Sequence, residues 1–409
     1  MKKLFVIGHT FPEPSTTAAG VRMMQLIDLF REFGYQITFG STASAMEKSA
    51  SLEEMGISVE SIQLNHPSFD ALIGELDPQV VIFDRYITEE QFGWRVAQTC
   101  PEAVRILDTE DLHFLRKARE LAIKEGLSVS EANVYTNLAK REIASILRSD
   151  LSLIISETEL DLLQDQFRIS SEILFYLPLV TDISILQQAE SPGFEQRSHM
   201  VTIGNFQHAP NLDSVKWLAT EIWPGIHEAL PSAELHVYGN YAPQQITQLH
   251  DQHTGFHIKG WAQDVNKMMQ NARLCLAPLR FGAGLKGKIL DAMRNGTPVV
   301  TTAIGAEGIN GKFPFCGAVE EEPGQLIEAA IRLFSNENSW NMARDQGFNI
   351  LRNRFDLRLF SETFKRKLEV LNNDLHSHRN RNFVGQVLHQ QNLQASKYMS
   401  KWIELKNRF

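Results

Sequence analysis

The chain has 409 residues, a formal net charge of -9, 43% hydrophobic and 22% charged residues, the make-up of a soluble intracellular protein with enough chain for two domains of ordinary size. The acidic balance argues against general nucleic-acid binding and leaves room only for a local basic patch. No apolar run reaches the length of a membrane span, and Cys100, Cys275 and Cys316 lie without ligand spacing, so neither a disulfide framework nor a zinc site is expected.

The N-terminus, MKKLFVIGHTF, is charged and then apolar like a secretory leader, but its apolar core is too short and Pro12, Glu13 and Pro14 interrupt it. It reads as the first strand. A helix from about Ala19 to Phe33, QITFGS, a further helical stretch, VVIFD, a helix around Glu90 to Thr99 and VRILDTED then alternate strand with helix. That order implies a doubly wound parallel sheet, whose ligand crevice lies at the carboxyl ends of its strands. The residues after each strand therefore matter most. After the first strand, Gly20 opens a helix with Arg22 in its first turn; the plainer reading is a helix start capped by Ser15, Thr16 or Thr17. Asp84, Arg85 and Tyr86 follow VVIFD and either face the cleft or cap the next helix. After VRILD, the carboxylates of Asp108, Glu110 and Asp111 stand beside His113. A histidine at a strand end among acids is a stronger functional candidate than a lone one. Leu121 to Arg148 is helical in period, LSLIISETE and ILFYLPLV read as buried strands, and the polar DISILQQAESPGFEQRSH is the linker, with the boundary near Glu190.

The second half restarts with VTIGNFQHAPNLDSVKWL, a strand, a turn from Gly204 to Asn211 and a helix. ELHVYG and FHIKGW continue the alternation, and QDVNKMMQNA is helical. Trp261 fits a core or interdomain aromatic as well as a ligand contact. RLCLAPL is short, apolar and without alternation, as a strand covered on both faces should be. Gly282, Gly284 and Gly287 then allow backbone N–H groups to approach an anion, Lys286 and Lys288 bring charge, and KILDAMRN begins a helix whose positive end faces the same point. Asn295-Gly296 caps that helix, TPVVTT is the next buried strand, and Glu307 sits in a second glycine turn. An ordinary βαβ turn with solvated lysines explains the same spacing.

The segment GAGLKGKILDAMRNGTPVVTT resembles the donor-site segment of retaining glycosyltransferases of the GT-B fold, family 4 (glycosyltransferase group 1) in particular. The resemblance covers most of the chain. It implies an α/β protein with two Rossmann-like domains facing a cleft: residues 1–190 on the acceptor side, 191–355 binding the donor, and 356–409 a helical strap and basic tail returning to the first domain. It further implies that Lys288, with Lys286, contacts the donor diphosphate, that Asp291 binds the nucleotide ribose, and that His113 positions the sugar and helps stabilise developing charge. Gly20, Gly204, Asn205, Gly284, Trp261 and Glu307 fall at places that surround the donor, with Arg22, Arg85, Asp108 and Asp111 toward the acceptor. The family pattern has a further acid where this chain has Ala283. The implied reaction is hexosyl transfer from a UDP- or GDP-linked sugar to a glycan or lipid-linked acceptor, without cofactor or metal, in cell-surface glycan synthesis. The implied location is the cytoplasm, with peripheral contact at the inner face of the membrane. Rival readings are a non-catalytic nucleotide-sugar binder, an epimerase or phosphorylase-like enzyme of the same fold, and glycosylation of another acceptor such as RNA.

DLRLFSETFKRKLEVLNN, from Asp356 to Asn373, suits the helical strap of that fold. Beyond it Arg379, Arg381, Lys397, Lys401, Lys406 and Arg408 interleave with Phe383, Val387 and a cluster from Tyr398 to Ile403. The expected arrangement is a helix whose apolar face packs back on the first domain. The alternative is a basic, aromatic surface for an acidic membrane or RNA.

Overall fold

The computed structural model describes residues 2–183 and 192–390 together with Met399, Trp402, Ile403 and Lys406. The boundary expected near Glu190, and the tail residues Lys397, Tyr398, Lys401 and Arg408, lie outside the described residues. Seven parallel strands form the first sheet: β1 (Lys2–Gly8), β2 (Tyr35–Ser41), β3 (Ser58–Ser61), β4 (Val80–Asp84), β5 (Val104–Asp108), β6 (Leu151–Ile154) and β7 (Leu174–Tyr176), in the order β3-β2-β1-β4-β5-β6-β7. Six parallel strands form the second: β8 (His199–Ile203), β9 (Leu235–Tyr238), β10 (Phe256–Gly260), β11 (Ala272–Ala277), β12 (Val299–Thr301) and β13 (Gly317–Val319), in the order β10-β9-β8-β11-β12-β13. Continuous apolar runs such as VVIFD and VRILD form strands buried from end to end, because helices cover both faces of each sheet. Strand order reverses between β1 and β4 and between β8 and β11, and each reversal opens a crevice at the carboxyl ends.

The local elements depart from the sequence reading in two informative places. The helix expected from about Glu90 begins at Arg85, directly after β4, so no loop separates strand from helix. Arg85 absorbs the turn with φ 70°. The long helical stretch to Arg148 is two helices, His113–Lys124 and Asn137–Arg148. Gly126 at φ 75°, the capping box of Ser128 and Glu131, and the Thr136 side chain accepting from the Ala139 N–H end one helix and begin the next.

The helix Ser361–Asn373 lies against the first sheet and buries Phe364, Leu368 and Leu371 in the core that contains β1 and the helix Ala18–Glu32. The ring of Phe364 stands edge-on to Phe30 and 5.2 Å from Phe175. The helices Leu375–Arg381 and Phe383–His389 continue across the first domain, and beyond Leu375, which closes the apolar core, the contacts are largely polar. Phe383 and Val387, expected on the packing face, point to solvent. Gly385 instead presses on the Leu147 carbonyl, where a Cβ would come within 2.1 Å, and the Asn382 amide donates to the same carbonyl. Arg379 donates to both oxygens of buried Asp150 and to the carbonyls of Pro101 and Ala103, while His378 Nε2 meets the Asp150 carbonyl at 2.7 Å. Asp150 keeps Arg105 as a second partner, so Arg379→Ala removes the docking hydrogen bonds without stranding the acid and should lower the unfolding free energy by about 2 kcal/mol in urea titration. An unchanged midpoint would show that this segment is not docked.

Candidate functional site

A cavity of about 450 Å³ lies between the carboxyl ends of the two sheets, with walls from both. The second sheet contributes Gly204, Asn205, Asn211, Lys286, Lys288 and Asp291; the first contributes Thr17, Arg85, Glu110, Asp111, His113 and Arg116. Eight of the positions proposed from the sequence, Arg85, Asp111, His113, Gly204, Asn205, Lys286, Lys288 and Asp291, thus line one cavity, with Gly284 in the loop beside it, although they come from opposite halves of the chain.

The loop after β11 is shaped by its glycines. Gly284 has φ 63°, and a Cβ on it would come 2.8 Å from the Asp111 Cβ, so the loop can touch the opposite domain only with glycine there. The Gly284 N–H donates to Glu159 Oε1 at 2.8 Å, and the same oxygen accepts from the Leu112 N–H at 2.8 Å. Lys286, just before the helix Gly287–Arg294, folds back onto the Gly284 carbonyl at 2.8 Å and lies 3.6 Å from Glu307 Oε2. Lys288 differs: its Nζ donates to the neutral Asn211 side chain at 2.8 Å, and no carboxylate pairs with it among the described residues. Burial lowers its pKa to about 8. A partly buried cation that lines a cavity without a counter-charge among the described residues is suited to receive an anion. Asp291, one turn into the helix, is paired with Arg294 at 2.6 Å, and burial raises its pKa.

Opposite stands His113, the first residue of its helix. Its Nε2 is 3.4 Å from Asp111 Oδ1 and its ring stands edge-on to Tyr86. Burial, reinforced by Arg116 and Arg85, outweighs the pull of Asp111 and lowers its pKa to about 4, so the imidazole is neutral at pH 7. Asp111 is the reverse case: burial would raise it, but Arg116, ion-paired to it, and His113 bring it down to about 2. Glu110 escaped the sequence reading as a site residue. It has φ 63°, lines the cavity, and keeps one buried carboxyl oxygen without a hydrogen-bond partner among the described residues. Burial and Asp108 raise its pKa well above normal. Only the local density of acids after VRILD signals it. Arg85 and Glu110 thus hold uncommon backbone conformations beside one another, a pattern associated with functional sites.

Other positions serve the frame. Arg22 and Asp108 are buried away from the cavity and paired with each other at 3.1 Å, with Arg22 also reaching the Pro178 carbonyl. Their assignment toward an acceptor therefore gives way to a structural pair under the strand ends. Gly20 lets the Glu13 backbone pass, since a Cβ would come within 2.4 Å of it, and does not line the cavity. Trp261 lies outside the cavity too; its indole N–H donates to the Ser15 carbonyl at 3.2 Å and Lys48 caps its ring. Glu307 is clamped by Arg119 of the first domain at 2.7 and 2.8 Å, and Arg119 also donates to the Gly282 carbonyl. It is an interdomain latch rather than a cavity residue.

Burial raises the Glu159 pKa to about 8 from the ordinary glutamate value of about 4.5, with the Asp111 charge adding to it. Its second oxygen, buried and without a partner, has room for the proton. Between about pH 4.5 and about pH 8 the folded chain holds a proton that the unfolded chain releases. This group's contribution to stability therefore falls as pH rises through that window, by about 1.4 kcal/mol per unit, and levels off above it. Glu159→Gln should remove one proton's worth of that slope in urea titrations spanning the window; an unaltered slope would mean that Glu159 is ionised throughout.

Residues 197–336, which hold both the Asn205 turn and the lysine loop, match the family model described as Glycosyl transferases group 1. No curated protein matches the sequence. Among solved structures the chain is similar to sucrose-phosphate synthase from Thermosynechococcus elongatus, at 12% identity and TM-score 0.67 over 91% of this chain and 99% of that one. It is similar to a mutant of S. aureus TarM in complex with fondaparinux, alpha-GlcNAc-glycerol and UDP, at 10% identity and TM-score 0.67 over 91% and 100%. Anabaena HepE, in complex with UDP and glucose, follows at 15% identity and TM-score 0.65 over 90% and 99%. The two parallel-sheet domains and the cleft between them are those of the GT-B fold.

Proposed function

We propose that the protein is a metal-independent glycosyltransferase that moves a hexose from a UDP- or GDP-linked donor to a glycan or lipid-linked acceptor with retention of anomeric configuration. The observation that carries this reading is Lys288, a partly buried ammonium group that lines the cleft beside a helix N-terminus and, among the described residues, pairs with an amide rather than a carboxylate. As the bond from the anomeric carbon to the diphosphate breaks, the departing oxygens gain charge, and Lys288, Lys286 and the loop amides meet it. The acceptor hydroxyl oxygen then bonds to that carbon on the face the diphosphate leaves, and its proton passes to the departing diphosphate oxygen. His113, neutral at pH 7, holds a sugar hydroxyl by hydrogen bonding. Glu110 supplies the carboxyl group nearest the sugar, in place of the acid absent at Ala283, and Asp291 takes the ribose. The nucleoside extends toward the adjoining depression between Pro14–Ser15 and Gln263–Lys267. The group 1 family match over the lysine loop and the UDP complexes of fold relatives support the donor class. No helix among the described residues is long and apolar enough to cross a membrane. The proposed setting is cell-surface glycan synthesis in the cytoplasm, with peripheral contact at the membrane.

A second reading, a nucleotide-sugar binder without turnover, is favoured by one observation: Ala283 lines the cavity where the resembled family carries an acid. Calorimetry with UDP, GDP, ADP and their sugar conjugates separates the possibilities. One nucleoside diphosphate should bind, and Lys288→Ala should weaken it by about tenfold or more. Because anion binding restores the Lys288 proton, affinity should fall as pH rises through about 8, with proton uptake visible on changing the buffer. Binding indifferent to Lys288 would place the diphosphate elsewhere. His113→Ala and Glu110→Gln should retain nucleotide binding and lose turnover by about 100-fold or more; full turnover in both variants would remove them from the chemistry.

A further inference from the structure

At the end of the second sheet remote from the cleft, Glu234, His236 and His257 converge at the start of β9 and β10. His236 and His257 are register partners on neighbouring parallel strands, so their side chains share one face, and Glu234, two residues before His236, joins them there. One ligand atom from each of the three lies within 4.8 Å of the others. Glu234 Oε2 is 2.7 Å from His236 Nε2 and 3.8 Å from His257 Nε2. These distances bracket the roughly 3.4 Å that separates tetrahedral ligands bound at ~2.1 Å from zinc. A third ring, His199 at the start of β8, stacks on His236 with centroids 4.0 Å apart and fixes its orientation. His199 Nε2 is itself buried without a hydrogen-bond partner among the described residues, an uncommon state for a polar atom and one that marks an incompletely satisfied polar cluster.

We propose that Glu234, His236 and His257 form a binding site for a divalent transition metal of the zinc class, using two imidazole nitrogens and one carboxylate oxygen. The ligand set selects zinc, copper or nickel over magnesium or calcium, which prefer all-oxygen sites. Three protein ligands leave one position open to water at the surface. Since β10 is an edge strand of its sheet, a metal joining β9 to β10 ties that edge strand to its neighbour and stabilises the folded chain by mass action. No sequence spacing announces the site, because its ligands meet only through strand register. It stands apart from the cleft and does not depend on the function proposed for it.

The test is calorimetric titration of the metal-free full chain with zinc chloride, alongside thermal melts with and without zinc. The wild type should bind one zinc and melt at a higher temperature in its presence. His236→Ala, His257→Gln and Glu234→Gln should each weaken binding by more than about tenfold and cancel the rise in melting temperature. Each variant is read only if its zinc-free melt matches wild type; should a histidine variant misfold, Glu234→Gln, which alters an exposed carboxylate, decides. Absence of saturable zinc binding, or binding that survives substitution of the ligands, overturns the proposal.

Discussion

One carboxyl oxygen joins the two halves at the point where they must meet. Glu159 Oε1 accepts from the Leu112 N–H, which leads into His113, and from the Gly284 N–H, which leads into Lys286 and Lys288. The distance between the imidazole wall and the lysine wall is thereby set by two hydrogen bonds to a single buried atom. Arg119 repeats the link a few ångströms away by gripping Glu307 and the Gly282 carbonyl, and Arg354 of the second domain reaches Glu157 at 2.6 Å. Such contacts are short-range and directional, so small displacements of either domain break several together. The cleft is therefore organised in its closed form by the same loops that carry its charges.

The site's electrostatics are costly, and the surrounding packing meets the cost. Asp84, Asp108, Glu110 and Asp111 crowd the ends of β4 and β5, balanced by Arg22, Arg85 and Arg116. Burial without pairing would expel these charges, yet each cation faces an acid, and the acids left over are pushed toward their neutral forms. Arg85 and Glu110 add backbone strain at the same spot. A fold selected for stability alone would not gather unpaired oxygen atoms, uncommon φ angles and an unneutralised lysine into one cavity.

Much of the architecture was legible because parallel sheets write themselves as unbroken apolar runs. VVIFD, VRILD, RLCLAPL and TPVVTT could hardly be anything else, and the rule that ligands gather at strand ends led to Arg85, Asp111, His113, Lys286 and Lys288. Burial was less legible than position. Arg22 and Asp108 occupy the right loops, but whether a charged side chain points into a cleft or pairs beneath it depends on a partner far along the chain. The same holds for Glu159, which reads as part of a strand end and acts across the domain interface. Phe383 and Val387 misled for a related reason: an apolar stripe marks a face that would favour burial, whereas Arg379, His378, Asn382 and Gly385 supply the directional contacts that seat those helices. Histidines brought together only by strand register leave no trace in linear spacing.

The central claim is that the cation at Lys288 receives a nucleoside diphosphate inside the closed cleft. Crystallography of the protein with whichever of UDP or GDP it binds tests this most directly. The account predicts density for the diphosphate with an oxygen about 3 Å from Lys288 Nζ, its anionic groups directed at the start of the helix Gly287–Arg294, and the nucleoside running toward Val265. Density with the diphosphate elsewhere, or an empty cleft at saturating nucleotide, would contradict it.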